Sequence, residues 1–262
     1  QVRQVSLSDN VPSTLSIGIG QGASSLQESE QMARQALEMA LGRGGDQVAI
    51  KSGSSFAFYG GTSKGVEKRT KVKTRIMASA LSELIGTAEN VLIMGHQFAD
   101  LDCLGSAVGM YKAVRQMGKP AAVVLNRQRN LAFPLYNRLA QNGYADAFVE
   151  PDLAIDLIGK KTLLVVVDTH LPHILESREV YSACKTVAVI DHHRKMVGHI
   201  DNAVIFYHEP YASSASEMVT ELVQYFGDHV KIGKMEAEAL LSGIMLDTKN
   251  FVMKTGVRTF EA

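Results

Sequence analysis

Two runs constrain the fold more than anything else in this chain. Leu163-Leu164-Val165-Val166-Val167 and Val187-Ala188-Val189-Ile190 are unbroken and apolar, the pattern of strands buried on both faces of a parallel sheet. Each leads into a carboxylate: Asp168 follows the first, and Asp191-His192-His193 follows the second. A third apolar run, Val91 to Met94, leads into Gly95-His96-Gln97-Phe98-Ala99-Asp100-Leu101-Asp102, and Gly243-Ile244-Met245-Leu246 leads into Asp247. Side chains that follow parallel strands converge at one edge of the sheet, where α/β proteins bind their ligands.

Strands and helices alternate around these runs. Ala121 to Leu125 reads as a strand, and helical patterns cover Leu104 to Met117, a stretch near Pro134 to Gln141, Glu217 to Phe226 and Met235 to Met245. Gly105, Ser106, Ala107 and Gly109 place small residues on the first of those helices. This alternation predicts an α/β fold, a parallel β-sheet flanked by helices. Ahead of it, Ser13 to Gly20 alternates like a strand. Ser24 or Ser25 can cap a helix carrying Leu26, Met32, Ala33, Ala36, Leu37 and Ala40, which Gly42, Gly44 and Gly45 stop, and Gln47 to Lys51 reads as a further strand. Between the two parts lie Lys64, Lys68, Arg69, Lys71, Lys73 and Arg75, with Val72, Ile76, Leu81 and Leu84 at helical spacing. No aromatic residues interleave with these cations, so a solvated connecting helix is expected rather than a nucleic-acid surface. The expected division is 1–62, 63–87 and 88–262.

Lys+Arg and Asp+Glu both number 27, so no global charge draws the chain onto long nucleic acid or an anionic membrane. Any phosphate must be held locally. Cys103 and Cys184 are too few for a disulfide framework and fit a reducing cytosol. Cys103 reads as a small apolar helix residue, not a ligand. No apolar stretch reaches membrane-spanning length. The polar opening and the end at Phe260-Glu261-Ala262 read as the limits of a piece cut from a longer chain.

Four carboxylates and two imidazoles, with no partner cysteine, suit a pair of small divalent cations. A loop leaving a strand can aim His96 and Asp100 at one ion while Asp102 reaches a second, and Asp168 can bridge both. The expected sets are His96, Asp100 and Asp168 for one ion, and Asp102, Asp168, His192 and Asp247 for the other. Taken singly, each residue has a plainer role as a cap or turn residue, and Asp100 and Asp102 suit the start of the helix at Cys103. Taken together, four independent apolar runs would each have to end this way by accident. Two ions about 3.5–4 Å apart activate a bridging water and neutralise the phosphate it attacks. Mixed imidazole and carboxylate ligands favour Mn2+ over Mg2+.

Gly-His-x-x-x-Asp-x-Asp, a strand-ending Asp168, Asp191-His192-His193 and a final Asp247, in that order, resemble the DHH phosphoesterase superfamily over about residues 85–262. Leu15-Ser16-Ile17-Gly18-Ile19-Gly20, Ala36-Leu37-Glu38-Met39-Ala40 and Gly42-Arg43-Gly44-Gly45-Asp46-Gln47 resemble the closing third of a GGDEF domain; Gly44-Gly45-Asp46 is not that family's catalytic signature, which would lie upstream. The fold expected is thus a DHH-type domain preceded by a partial GGDEF-like α/β unit. The combination resembles a GdpP-type (YybT-type) cyclic-di-AMP phosphodiesterase.

That resemblance implies hydrolysis of cyclic-di-AMP to linear pApA with two Mn2+ ions. It implies a DHHA1 domain downstream, and a sensor domain and membrane helices upstream, making this chain a cytoplasmic part of a membrane-anchored protein. The implied partner is a cyclic dinucleotide, not long nucleic acid, with the chain itself not membrane-inserted and a homodimer left open. His193 is implied to face the substrate phosphate, as donor or as acid for the leaving 3′ oxygen, while Asp191 orients His192. Arg194 either pairs with phosphate or stands in solvent. Helix amides near Ser214 either meet a substrate anion or are simply capped by Ser213 or Ser214. His170, His173, His199, His208 and His229 match no motif and are expected on the surface or in loops. Two other functions stay open: a DHH-family oligoribonuclease, exonuclease or pyrophosphatase, and a nucleotide-binding sensor without turnover.

Overall fold

A computed structural model describes residues 15–42, 46–53, 55–60, 71–196 and 198–262. Packing divides the chain into two units, Gln1–Lys68 and Arg69–Ala262.

In the first unit, β1 (Ile17–Gln21), α1 (Leu26–Gly42), β2 (Gln47–Ser52) and β3 (Ser55–Gly60) follow one another. The sheet order is β1-β2-β3, the first pair parallel and the second antiparallel. Reciprocal capping starts α1: Ser25 Oγ accepts from the Glu28 amide at 3.1 Å, and the Glu28 carboxylate accepts from the Ser24 amide at 2.7 Å. Ala36 and Ala40 on α1 pack with Ala49 of β2, and Phe56 and Phe58 of β3 close that small core. Strand β3 is not among the elements expected from the sequence, although its alternate Phe residues are a signal that could have found it. Ser13, Thr14, Gly44, Gly45, Lys64, Lys68 and Arg69 lie outside the described residues.

The second unit opens with α2 (Lys71–Thr87) and then alternates: β4 (Asn90–Met94), α3 (Leu101–Gln116), β5 (Ala121–Val124), α4 (Phe133–Leu139), β6 (Phe148–Val149), α5 (Pro151–Ala154), β7 (Thr162–Val167), α6 (Arg178–Ala183), β8 (Thr186–Asp191), β9 (Ile205–His208), α7 (Ala215–Val223), α8 (Lys234–Asp247) and α9 (Val257–Glu261). All six strands run parallel in the order β6-β5-β4-β7-β8-β9. The chain works outward from β4 to β6, then returns to β7 and works outward the other way. The switch point therefore falls between β4 and β7, where such sheets open a crevice.

Period-two alternation splits the core between the two faces of the sheet. Val91, Ile93, Val165 and Val167 pack with Ala78, Leu81 and Ile85 of α2, with α3 and with Met218 and Leu222 of α7, while Leu92, Met94, Leu164, Val166 and Val189 pack with Val180, Cys184 and Ile200. On α2 the buried stripe is Thr74, Ala78, Leu81 and Ile85. Val72 and Ile76, expected on that face, are 67% and 57% exposed; α2 is thus packed into this unit, with a face one step round from the one read in the sequence. Residues 163–167 of β7 are each at most 1% exposed, and each such burial stabilises by about 1.5–3 kcal/mol. This anchoring holds the next residue, Asp168, at φ +59°, a left-handed conformation that costs on the order of 1–3 kcal/mol.

Close approach of α3 and α8 depends on small residues. A Cβ at Gly105 would lie 2.4 Å from the Ala239 carbonyl oxygen, and one at Gly243 would lie 2.8 Å from Asp102 Cα. The two helices bring Asp102, in the first turn of α3, and Asp247, in the last turn of α8, to the same crevice. Among the described residues no helix is long and apolar enough to cross a membrane.

Candidate metal centre

Three loops at the carboxyl ends of β4, β7 and β8, the first turn of α3 and the end of α8 supply the six residues singled out in the sequence. Asp168 stands between the two imidazoles: its Oδ2 is 3.4 Å from His96 Nε2 and its Oδ1 is 3.4 Å from His192 Nε2. His96 is oriented by its other nitrogen, whose Nδ1–H donates to the Gln97 carbonyl at 2.8 Å, so Nε2 is the nitrogen that faces inward. Asp100 Oδ1 is 3.9 Å from that nitrogen. The same oxygen accepts from the Asp102 and Cys103 amides at 2.9 and 3.0 Å, capping α3.

Around His192 Nε2 stand three carboxylates, with Asp247 Oδ2 at 3.2 Å, Asp168 Oδ1 at 3.4 Å and Asp102 Oδ2 at 3.6 Å. Asp102 is fully buried, and its two oxygens accept the Ala215 and Ser216 amides at 2.7 and 2.8 Å. Helix α7 therefore aims its positive end at an internal carboxylate. This corrects the expectation of a substrate contact at Ser214: Ser214 is fully buried and its hydroxyl caps α7 by accepting from the Glu217 amide at 3.0 Å. At the end of α8, the Thr248 hydroxyl donates to the Ile244 carbonyl at 2.6 Å and accepts from the Phe251 amide at 2.9 Å. With Thr248 closing the helix, Asp247 is turned toward His192.

The electrostatics follow from this crowding. Burial alone would raise Asp168, but the facing His192 and His96 rings hold its pKa down to about 2. Burial would lower His96, yet Asp168 raises it to about 9, and His192 is raised well above the ordinary histidine value by Asp168 and Asp247 against the same opposing burial. Asp102 is pushed well up by burial and then by Asp168, and Asp100 is raised for the same two reasons. The imidazoles thus hold protons where carboxylates crowd, which is where a cation would exchange with them.

Asp168 Oδ1 and His192 Nε2 are buried with no hydrogen-bond partner among the described residues, an arrangement that is costly unless a further group meets them. With bonds of about 2.1 Å, neighbouring ligand atoms stand roughly 3.0 Å apart in an octahedron and roughly 3.4 Å apart in a tetrahedron. Of the separations around His192 Nε2, 3.2 Å to Asp247 and 3.4 Å to Asp168 fall in that range, and 3.6 Å to Asp102 lies just beyond it. Ligand atoms of Asp102, His192 and Asp247 lie within 4.8 Å of one another, as do those of Asp168, His192 and His193. Cys103 comes equally close to His96 and Asp168, but burial, then Asp168, pushes its thiol well above the ordinary value, so it keeps its proton. The donor set fits a divalent metal.

His193 projects from the same turn, 53% exposed, with Nδ1 2.9 Å from Asp191 Oδ1 and 3.7 Å from Asp168 Oδ1. Asp191 is fully buried, and hydrogen bonds from His170 and His193 outweigh burial and hold its carboxyl far below the ordinary range. The expectation that Asp191 orients His192 is corrected here: its partners are His193 and His170. His170 is not a surface residue either, being 1% exposed, and His208 is half-buried with its ring against the His193 carbonyl. His173 and His229 are exposed, and so is Arg194 in the loop after His193.

Fold and cluster together define a doubly wound α/β protein equipped to hold divalent cations at its switch point. The chain belongs to the DHH family, whose "DHH family, N-terminal domain" matches residues 90–244; a divalent metal is implied by that membership. Residues 1–58 match the family described as "Cyclic-di-AMP phosphodiesterase GdpP-like, GGDEF domain". Among curated relatives, the cyclic-di-AMP phosphodiesterase GdpP of Geobacillus thermodenitrificans is 45% identical over 267 residues, and the cyclic-di-AMP phosphodiesterase PdeA of Listeria monocytogenes is 41% identical over 268. Both alignments take in 100% of this chain and 40% of the relative, so the chain spans about two fifths of their length. A crystal structure of an exopolyphosphatase-related protein from Bacteroides fragilis shares the fold, with a TM-score of 0.60 and 22% identity over 71% of this chain and 54% of that one.

Proposed function

We propose that this chain carries the catalytic centre of a phosphodiesterase that hydrolyses cyclic-di-AMP to linear pApA, with Mn2+ as its metal. The observation that carries the proposal is Asp168, whose two carboxylate oxygens face two different imidazoles, each among further carboxylates. The names of the 45% and 41% identical relatives supply the substrate. In this assignment His96, Asp100 and Asp168 hold one ion and Asp102, Asp168, His192 and Asp247 hold the other. Bound in such a pair, divalent ions lower the pKa of water and neutralise phosphate charge.

The remaining roles belong to the protein's own groups. Asp191 accepts from His193 Nδ1, leaving Nε2 of this half-exposed ring to hold a proton for the departing 3′ oxygen. Arg194, one residue on, is assigned to the substrate phosphate. Residues 1–62 are taken as the GGDEF-like part, 63–87 as the connection and 88–262 as the DHH part. The whole protein is proposed to continue into a DHHA1 domain and to be held at the cell membrane by upstream segments, with this part in the cytoplasm.

The test is a substrate panel of cyclic-di-AMP, pApA and pyrophosphate, presented with Mn2+ to the full-length protein that contains this chain. The expected product is pApA from cyclic-di-AMP, lost in Asp168→Ala. Undiminished turnover in that variant would overturn the ligand assignment. Turnover of pApA or pyrophosphate in place of cyclic-di-AMP would overturn the substrate.

A further inference from the structure

We propose that His170 is a positioning residue: acting through Asp191, it fixes the ring of His193. The proposal rests on the assignment of His193 as the group that meets the departing oxygen.

His170 is two residues beyond Asp168 and 1% exposed. Burying an imidazole is costly unless both nitrogens are satisfied, and here both are. The Met196 amide donates to His170 Nε2 at 3.0 Å. An amide can only donate, so Nε2 carries no proton and Nδ1 must carry it. Nδ1–H then donates to Asp191 Oδ2, and the tautomer is settled by the network itself. The other oxygen of Asp191, Oδ1, accepts from the His193 amide at 3.3 Å and from His193 Nδ1 at 2.9 Å.

The consequence follows from the freedom of a carboxylate. Its terminal torsion is broad, so an Asp191 bonded only to His193 could turn Oδ1 away from a ring that is itself 53% exposed. With Oδ2 pinned by His170, Oδ1 stays in the plane that His193 needs. A buried carboxylate orienting an imidazole in this way is a recurring device for keeping its outer nitrogen on target. The same two elements secure the backbone of the loop: His208 Nε2–H donates to the His193 carbonyl, and His170 receives the Met196 amide. The segment from His193 to Met196, which includes Arg194, is thus held at both ends by imidazoles. Rings of His208, His199 and Phe206 stand edge-on to His170 at 5.5, 6.5 and 6.4 Å between centroids, shielding the Asp191 bond from water.

Ligand atoms of His170, Asp191 and His208 also lie within 4.8 Å of one another, and a further metal site would need their lone pairs. Both His170 nitrogens and both Asp191 oxygens are already committed within the protein, and His208 Nε2 donates to a carbonyl. The geometry is that of a hydrogen-bonded relay.

The experiment uses His170→Ala, His170→Asn and His193→Ala, singly and combined, in the full-length protein with Mn2+ and cyclic-di-AMP. His170→Ala should lower kcat about 10- to 100-fold with KM unchanged, the range typical of lost supporting contacts. His170→Asn, whose amide can donate from near the Nδ1 position, should recover most of that loss. In the His193→Ala background His170→Ala should cost less than about threefold, because a residue acting only through His193 has nothing left to position. Losses that multiply in the double variant, or an unchanged kcat in His170→Ala, would overturn the proposal. NMR of the metal-free chain supplies a readout independent of turnover: a slowly exchanging His193 Nδ1–H signal should be present in the wild type, lost in His170→Ala and retained in His170→Asn. If cyclic-di-AMP is not a substrate at all, the function proposed above fails, yet this spectrum still decides whether His170 holds His193. A His193 signal indifferent to both substitutions would refute the link.

Discussion

Gly243 tests whether helix packing sets the metal geometry. It lies one turn before Asp247 on the same face of α8, against the first turn of α3. In Gly243→Ala, the new Cβ would stand 2.3 Å from Ser216 Oγ, 2.7 Å from Asp102 Oδ1 and 2.8 Å from Asp102 Cα. The hydroxyl can rotate, but the Asp102 backbone cannot. Ordinary van der Waals separation begins at 3.4 Å, so α8 must retreat from α3 by about 0.6 Å to accommodate that backbone atom alone. Asp247 moves with it, while His192, 3.2 Å away on another element, does not. Metal–ligand distances tolerate only about 0.2 Å. Stability should change far less than the site. Alanine gains roughly 1 kcal/mol of helix propensity over glycine, set against an overpacking cost of about 1–3 kcal/mol. The net loss of about 0–2 kcal/mol corresponds to a fall in Tm of up to roughly 8 °C for a unit of this size. Calorimetric titration of the folded variant with Mn2+ should show affinity reduced about 10- to 100-fold. Adding Ser216→Ala removes the 2.3 Å overlap but leaves the clash with the Asp102 backbone, so rescue should be partial. Wild-type Mn2+ affinity in a folded Gly243→Ala protein would show that the packing of α3 on α8 does not set the site.

Three further outcomes are expected. Asp168→Asn should reduce Mn2+ stoichiometry by titration from two to at most one per chain, because it removes the carboxylate facing both imidazoles; two ions bound with native affinity would refute the bridge. Gly95→Ala should be strongly destabilising because its Cβ would meet Cys103 Sγ at 2.1 Å, whereas Gly95→Ala with Cys103→Ala should recover part of the Tm, since Cys103 Cβ lies at an ordinary 3.6 Å while the Val167 carbonyl oxygen stays close at 3.2 Å; additive losses by calorimetry would be the contrary result. In chelator, His96 with a pKa raised to about 9 stabilises the fold fully below its unfolded value of about 6.5 and loses that contribution, roughly 3 kcal/mol at most, as pH rises through 9. The metal-free Tm should therefore fall between pH 6.5 and 9.5 more steeply in the wild type than in His96→Ala, and parallel pH profiles would count against the His96–Asp168 pairing.

The sheet was legible because its central strands cannot be anything else. A continuous run such as Leu163 to Val167 has no polar face for solvent, so it must sit inside a parallel sheet, and the residues leaving its end must reach the crevice. The same logic carried His96, Asp102, Asp168 and His192 to one place, since each follows a strand or opens the helix after one. Asp247 was legible for a different reason, as a carboxylate directly after the apolar Ile244-Met245-Leu246 at the end of a helix. Local pattern could not tell which backbone groups would meet those side chains. The amides of Ala215 and Ser216 are 113 and 114 residues from Asp102, and in sequence the start of α7 looks like any capped helix N-terminus open to an anion. An internal carboxylate filled it. His170 was hidden similarly: two positions past a strand end, a histidine has no periodicity to betray burial, and its partners Asp191 and Met196 come from the next strand and its loop. Residues proposed to hold the metal announce themselves by chemistry placed after apolar runs, whereas residues that position their neighbours are chosen by tertiary contacts. Substitutions at Gly243 should therefore weaken metal binding, and substitutions at His170 should lower turnover, although neither residue offers a ligand atom to the cluster of Asp102, His192 and Asp247.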